Sequence, residues 1–158
     1  MKIRGFEFIS KEQIDKDFDG NLDIMITMPK RSTKESAGYD VFAPYDITLR
    51  VGEEVKIPTG LRAYMQCGEV LLVFPRSGLG FKYYTRLANS IDLIDSDYYY
   101  SDNEGHMWVK LRNEGDKDLF IKKGEAFCQM IFMPFLLIDG DSFDNGDVRN
   151  GGFGSTTK

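Results

Sequence analysis

The chain is 158 residues long, 42% apolar and 28% charged, and carries a net charge of −5. Such a length makes one domain with room for a substantial core, and the acidic balance excludes a nucleic-acid polymer as partner, because that needs a basic face. No apolar run approaches the roughly 20 residues of a membrane span. The start, Met1-Lys-Ile-Arg-Gly-Phe-Glu7, is charged where a signal peptide is apolar, so no membrane is expected and the cytoplasm is the expected compartment.

In chain order, residues 10–18 are a weak helix candidate and residues 15–21 a polar loop. Short β-branched or aromatic runs at residues 23–27, 45–49, 54–57, 70–74, 107–111, 118–121 and 126–132 read as strands. They are punctuated by Val51-Gly, Pro58-Thr-Gly60, Cys67-Gly and Lys123-Gly. The pattern is all-β, a sandwich, jelly roll or barrel, with at most one short helix, best placed at residues 77–84. Residues 139–149, rich in Asp, Gly and Asn, read as a flexible linker. The chain therefore divides into a β domain, 1–138, and a segment 139–158 that carries a glycine-rich tail away from the core and within reach of a neighbouring subunit. Cys67 and Cys128 lack metal-ligand spacing and read as small buried residues. The one histidine, His106, follows the polar insertion 101–105 and reads as a surface or structural residue.

Several segments carry chemistry. Glu35-Ser-Ala-Gly-Tyr-Asp40 sets a small-residue turn before a strand, with Asp40 placed to bond a loop or a metal-bound water. In Pro75-Arg-Ser-Gly78 an apolar strand opens into a helical turn where backbone N–H groups, the Arg76 guanidinium and the Ser77 hydroxyl suit phosphate oxygens. Ile91-Asp-Leu-Ile-Asp-Ser-Asp-Tyr98 crowds three carboxylates and a phenol together. Alternation along an extended chain places Asp95 and Asp97 on one side and Asp92 on the other. Leu93 and Ile94 pull the segment towards a core, where an ionised Asp95 is expensive without a purpose. Gln129 is one polar amide in an apolar strand and has to be satisfied, by backbone or by ligand. In the tail Arg149-Asn-Gly-Gly-Phe-Gly-Ser-Thr-Thr-Lys158, glycines free the backbone N–H groups to converge on an anion. Phe153 offers a ring for a flat base, which together suggests a nucleotide.

Taken in order, Ala37-Gly-Tyr-Asp40, Pro75-Arg-Ser-Gly78, Leu93-Ile-Asp-Ser-Asp-Tyr98, residues 124–129 and Gly151-Gly-Phe-Gly-Ser-Thr156 resemble the five motifs of the homotrimeric dUTP diphosphatase (dUTPase) family. The start of the chain and Asn103-Glu-Gly-His106 are similar to a bacterial and prophage branch. The resemblance implies hydrolysis of dUTP to dUMP and pyrophosphate on a jelly-roll or distorted-barrel homotrimer. Its C-terminal segments are exchanged and each active site draws on three subunits. Asp95 matches the aspartate that activates water for in-line attack on the α-phosphorus. Arg76, Ser77, Gly78 and Gln129 match residues lining the triphosphate. Mg²⁺ is expected on the phosphates and waters, one of which touches Asp40. A hairpin from Asn89 to Tyr98 pairs its backbone, around Leu93 and Ile94, with uracil; Asn89 lies beside the base and Tyr98 against the deoxyribose. Phe153 covers the uracil, Arg149 reaches the ligand, and Gly154, Ser155 and Thr156 meet the terminal phosphates.

The chain departs from the family pattern at Asp92, commonly Gly, where a positive φ would carry a cost. It departs also at Tyr99-Tyr100 and the extra loop to Gly105, at Ala126, commonly Arg, and in the spacing of Arg149. The related dCTP deaminase class lacks the Leu-Ile-Asp-Ser-Asp-Tyr segment. A second class of reading is a regulatory module that binds a host protein, if the chain is phage-encoded, through residues 99–106 or 11–21.

Overall fold

The computed structural model describes residues 1–21 and 23–152. Among these residues eleven strands form four antiparallel sheets. Strands β1 (Gly5–Phe8) and β5 (Leu61–Tyr64) pair, as do β3 (Ile47–Leu49) and β10 (Leu119–Ile121). A three-stranded sheet runs β4 (Glu54–Pro58), β9 (Trp108–Asn113), β7 (Thr85–Leu87). The largest sheet runs β2 (Tyr39–Phe42), β11 (Ala126–Pro134), β6 (Glu69–Pro75), β8 (Asp92–Asp95).

Alternation is the reason these segments are strands. In β9, Val109, Leu111 and Asn113 are buried while Lys110 and Arg112 face out, so one face of the pleat enters the core. In β11 the rule breaks: Phe127 and Cys128 are both fully buried because the register against β2 shifts between Ala126 and Cys128. A bulge of this kind sets an extra residue against one partner. Burial also pushes the Cys128 thiol pKa up, leaving it a packing residue. The core gathers Leu49, Ile57, Leu71, Leu111, Phe127 and Met130 from all the larger sheets.

The all-β expectation holds, with corrections. The described residues hold two short helices rather than at most one: α1 (Lys11–Asp17) and α2 (Ser77–Tyr83). Helix α1 forms because Ser10 is a true N-cap, its hydroxyl accepting the Gln13 N–H at 3.1 Å, a contact whose loss typically costs about 1 kcal/mol. Residues 23–27 are not a strand; Met25 makes a single backbone bond to the Pro44 carbonyl, 2.8 Å. Cys67 is exposed, at the turn between β5 and β6. No helix among the described residues is long and apolar enough to cross a membrane.

His106 is wholly buried. Its Nε2 accepts the Gly60 backbone N–H at 2.9 Å and its Nδ1 lies 2.5 Å from Asp17 Oδ2. A ring nitrogen that accepts an N–H carries no proton, so the imidazole is neutral and donates from Nδ1. Burial is the main cause of a pKa below the ordinary 6.5, partly opposed by Asp17. The unfolded chain therefore binds this proton more readily than the folded one. Stability is complete above the ordinary imidazole pKa and is lost as pH falls through it. The melting temperature should drop between about pH 7.5 and about pH 5.5, above the range where carboxylates titrate. A His106→Gln variant should be flat across that window, and an equal slope in the variant would contradict the assignment.

Candidate active site

At one end of the largest sheet, three of the motifs meet. Strand β6 ends at Pro75 and the chain turns into α2 with Arg76 as its N-terminal boundary. Gln129 of β11 stands between Asp40 of β2 and Phe74 of β6 in the ladder. Its amide donates to the Pro75 carbonyl at 3.1 Å, so the backbone satisfies it. Gly38 makes this possible, since a Cβ there would lie 2.5 Å from Gln129 Oε1. Arg76 Nε sits 3.3 Å from Asp40 Oδ1, and its Nη1 donates to the Ala126 carbonyl at 3.4 Å. Asp40, Arg76 and Gln129 thus share one polar cluster beside Ser77 and Gly78.

A cavity of about 590 Å³ lies elsewhere, lined by Asn89, Asp92, Ile94, Asp95, Tyr98 and Arg149 among others. Strands β7 and β8 belong to different sheets, so residues 89–98 make a corner between sheets, not the expected hairpin. The left-handed residue of this corner is Ser90, φ 67°, and Asp92 is a regular strand residue. The anticipated backbone cost at Asp92 therefore falls on its neighbour. Burial pushes the Asp92 carboxyl pKa up, opposed by a hydrogen bond from Asn89. Of the two apolar residues expected to face inward, only Ile94 does; Leu93 is 63% exposed.

After β8 the chain enters a 3-10 helical turn, Ser96–Tyr100. This turn, rather than strand alternation, brings Asp97 round to the side of Asp95. Arg149 joins them: its Nη2 pairs with Asp95 Oδ2 and its Nε donates to Asp97 Oδ1 at 2.8 Å. Gly152 lies against the Tyr98 ring, where a Cβ would come within 2.8 Å of Cε2. Phe153, Gly154, Ser155 and Thr156 lie outside the described residues. Tyr98 is 7% exposed and burial pushes its phenol pKa up. Trp108 also lines the cavity. His106, adjacent in sequence, is structural.

The two clusters stand apart in one chain. Asp95 lies opposite Val70 in the ladder, whereas Arg76 follows the last residue of β6. Six residues of extended chain span about 20 Å. The carboxylate and the cation cluster are therefore held apart within a single copy.

A β-sheet protein with an acidic, aromatic-lined cavity, an arginine-bearing arm laid across it and a separate Arg–Ser–Gly turn has the parts of a nucleotide-handling enzyme. A family model for dUTPase matches residues 25–157. The deoxyuridine 5′-triphosphate nucleotidohydrolase of Lactococcus lactis is 48% identical over 99% of each chain. That of Desulfitobacterium hafniense is 38% identical over 82% of this chain and 86% of its own. Among solved structures, the dUTPase from Streptococcus mutans superposes with a TM-score of 0.68 at 40% identity, over 86% of this chain and 99% of that one. A Staphylococcus bacteriophage 80alpha dUTPase shares the fold, with a TM-score of 0.66 at 22% identity over 98% of each chain. The chain belongs to the dUTPase family, whose members hydrolyse dUTP to dUMP and pyrophosphate.

Gly38→Ala tests the first cluster. The added methyl forces the Gln129 amide off Pro75, and displacements of about 1 Å cost up to about 10²-fold in rate. We expect kcat/KM for dUTP to fall about 10- to 100-fold with the fold retained by circular dichroism. Wild-type kcat/KM would show that this amide has no part in the site.

Proposed function

We propose that Asp95 is the general base of dUTP hydrolysis in an active site assembled from neighbouring subunits of a homotrimer. The observation that carries this reading is the separation of Asp95 from Arg76 along β6 in a chain whose family acts on a triphosphate. A base and a phosphate-binding arginine that serve one ligand from about 20 Å apart must come from different copies. The exposed apolar run after β11 supports assembly: Leu136 is 94% exposed and Ile138 80%. A C-terminal segment exchanged between subunits would cover it, consistent with a division into a β domain, 1–138, and an arm, 139–158.

In this reading Asp95 orients a water and accepts its proton. The water oxygen attacks the α-phosphorus in line, the bond to the bridging oxygen breaks, and pyrophosphate leaves. Arg76, Ser77, Gly78 and Gln129 of another subunit line the triphosphate. Arg149, which pairs with Asp95 and Asp97 within one copy, would as part of an exchanged arm meet the phosphates in a neighbouring site and leave its own Asp95 free. Phe153 lies over the base and Gly154, Ser155 and Thr156 meet the terminal phosphates.

Uracil would be read by β8. It is the edge strand of its sheet, so backbone groups on its outer side, around Leu93 and Ile94, have no strand partner and can pair with a base edge. Asn89 lies beside the base. A site built on such pairing rejects cytosine, which leaves buried groups unsatisfied. Tyr98 packs against the deoxyribose and excludes a 2′-hydroxyl.

Among the described residues no three His, Cys, Asp or Glu side chains cluster to hold a metal ion. One carboxylate, Asp40, stands beside Arg76. Mg²⁺ typically binds through one or two carboxylates plus substrate phosphates and keeps several waters, so the residues fit a phosphate-held ion with Asp40 reached through water. When bound, it neutralises charge on the leaving pyrophosphate. Residues 11–21 and 99–106, the surfaces considered for a host regulatory protein, bond to each other through Asp17 and His106, which favours an internal role for both.

The test is pyrophosphate release from dUTP, dTTP, dCTP and UTP, with dUTP alone expected to react. Asp95→Asn should bind dUTP within about tenfold of wild type and lose at least about 10²-fold in turnover, the contribution of a positioned base. Wild-type turnover in that variant would overturn the assignment.

A further inference from the structure

The Tyr98 phenol is tethered at its far end. Its hydroxyl donates to the His106 carbonyl at 2.7 Å and accepts from Asn103 Nδ2 at 2.9 Å. Both partners belong to the loop 101–106 that follows the 3-10 turn. That loop lies tight on the turn's backbone: a Cβ at Gly105 would come within 2.8 Å of the Tyr98 carbonyl oxygen and of Tyr99 Cα. The loop and the turn before it are in turn fastened to the start of the chain at three points. Ser10 donates to Glu104 twice, from its backbone N–H at 2.8 Å and its hydroxyl at 2.6 Å. Asp17 accepts the His106 Nδ1–H at 2.5 Å. Glu7 of β1 accepts the Tyr99 hydroxyl at 2.8 Å and pairs with Arg62 at 3.0 Å, whose guanidinium stacks on the Tyr99 ring.

We propose that residues 5–18 and the loop 101–106 form a brace that fixes the Tyr98 ring and thereby sets the preference for deoxyribose over ribose. Asn103 and Asp17 are positioning residues in this device: neither lines the cavity that Tyr98 lines. Residues 5–18 of the brace lie before the matched family region, which begins at residue 25. The physical reason is steric. A ring excludes one extra hydroxyl only if it cannot yield, and an aromatic side chain held only by its Cβ can swing about χ1 and χ2. Two hydrogen bonds at the hydroxyl end remove that freedom. The buried imidazole of His106 carries the constraint to α1, because its Nδ1–H would be left unpaired in the interior if the helix moved away. The inference rests on the reading that Tyr98 meets the sugar.

Asn103→Asp is the sharpest probe. Aspartate retains the side-chain oxygen that accepts the Gly105 N–H at 3.2 Å, so the loop keeps its turn, but it has no amide to donate to Tyr98. Asp17→Ala breaks the joint to α1. Should Asp17→Ala not fold, Glu104→Ala removes both bonds from Ser10, leaves the Ser10 cap in place and tests the neighbouring joint to α1. For each, kcat and KM are measured separately with dUTP and with UTP. We expect the ratio of kcat/KM for dUTP over UTP to fall at least about tenfold, through a gain with UTP, because a pocket that yields loses its rejection of one hydroxyl. The kcat for dUTP should stay within about threefold of wild type, whereas a general loss of structure would lower both substrates together. Wild-type selectivity in Asn103→Asp, or at the α1 joint, overturns the brace. A wild-type enzyme that hydrolyses UTP as readily as dUTP would instead overturn the underlying reading of Tyr98.

Discussion

Strand β6 imposes the constraint on which the rest of the architecture turns. Its seven residues, Glu69–Pro75, hold Asp95 beside their first half and release Arg76 beyond their last. A β-strand is stiff and its length is fixed by backbone geometry, so side-chain motion does not bring those two groups together. Chemistry that needs both has to recruit a second copy of the chain. The same strand ties β8 to the core through Val70, Leu71, Leu72 and Val73, leaving the outer edge of β8 to read a base. One element thus separates the catalytic parts and orients each of them.

Around that frame, polar groups do the positioning. Gln129 is satisfied by a backbone carbonyl, and only Gly38 leaves space for it. Tyr98 is held by the loop that follows it, and the loop by α1. The neutral imidazole of His106 is the pivot of this second set, since it receives a bond from β5's approach at Gly60 and gives one to α1 at Asp17. Arg149 lies across both Asp95 and Asp97, which keeps the carboxylates neutralised within a cavity whose neighbouring Asp92 already has a raised pKa. A triphosphate offers that guanidinium a denser negative charge.

Much of this was legible in the sequence because it rests on local rules. Alternating runs gave β4, β6, β9, β10 and β11 to within a few residues, and glycine-bearing turns marked their ends. The Asp95 segment, the Arg76 turn and Gln129 stood out by chemistry that a core does not need. What escaped depends on partners distant in sequence. Residues 23–27 carry strand-forming side chains yet find no adjacent edge to pair with. Asp92 seemed the strained position of its turn, but Ser90 takes the left-handed φ. His106 reads from sequence as a surface or structural residue; only α1, about ninety positions earlier, makes its loop a tether for Tyr98. The separation of Asp95 from Arg76 depends on ladder register, which composition and spacing do not encode.

The central claim is that one active site takes Asp95 from one subunit and Arg76 from another. It is tested most directly by complementation: Asp95→Asn and Arg76→Ala chains, each inactive alone, are co-expressed with different tags and mixed oligomers are purified through both. In every mixed trimer about one site in three takes Asp95 from one variant and Arg76 from the other, so about a third of the sites are restored when the two residues come from different copies. Recovery of dUTP hydrolysis near that fraction is the predicted result. Mixed oligomers with no activity would mean that each chain builds its site alone, and would contradict the account.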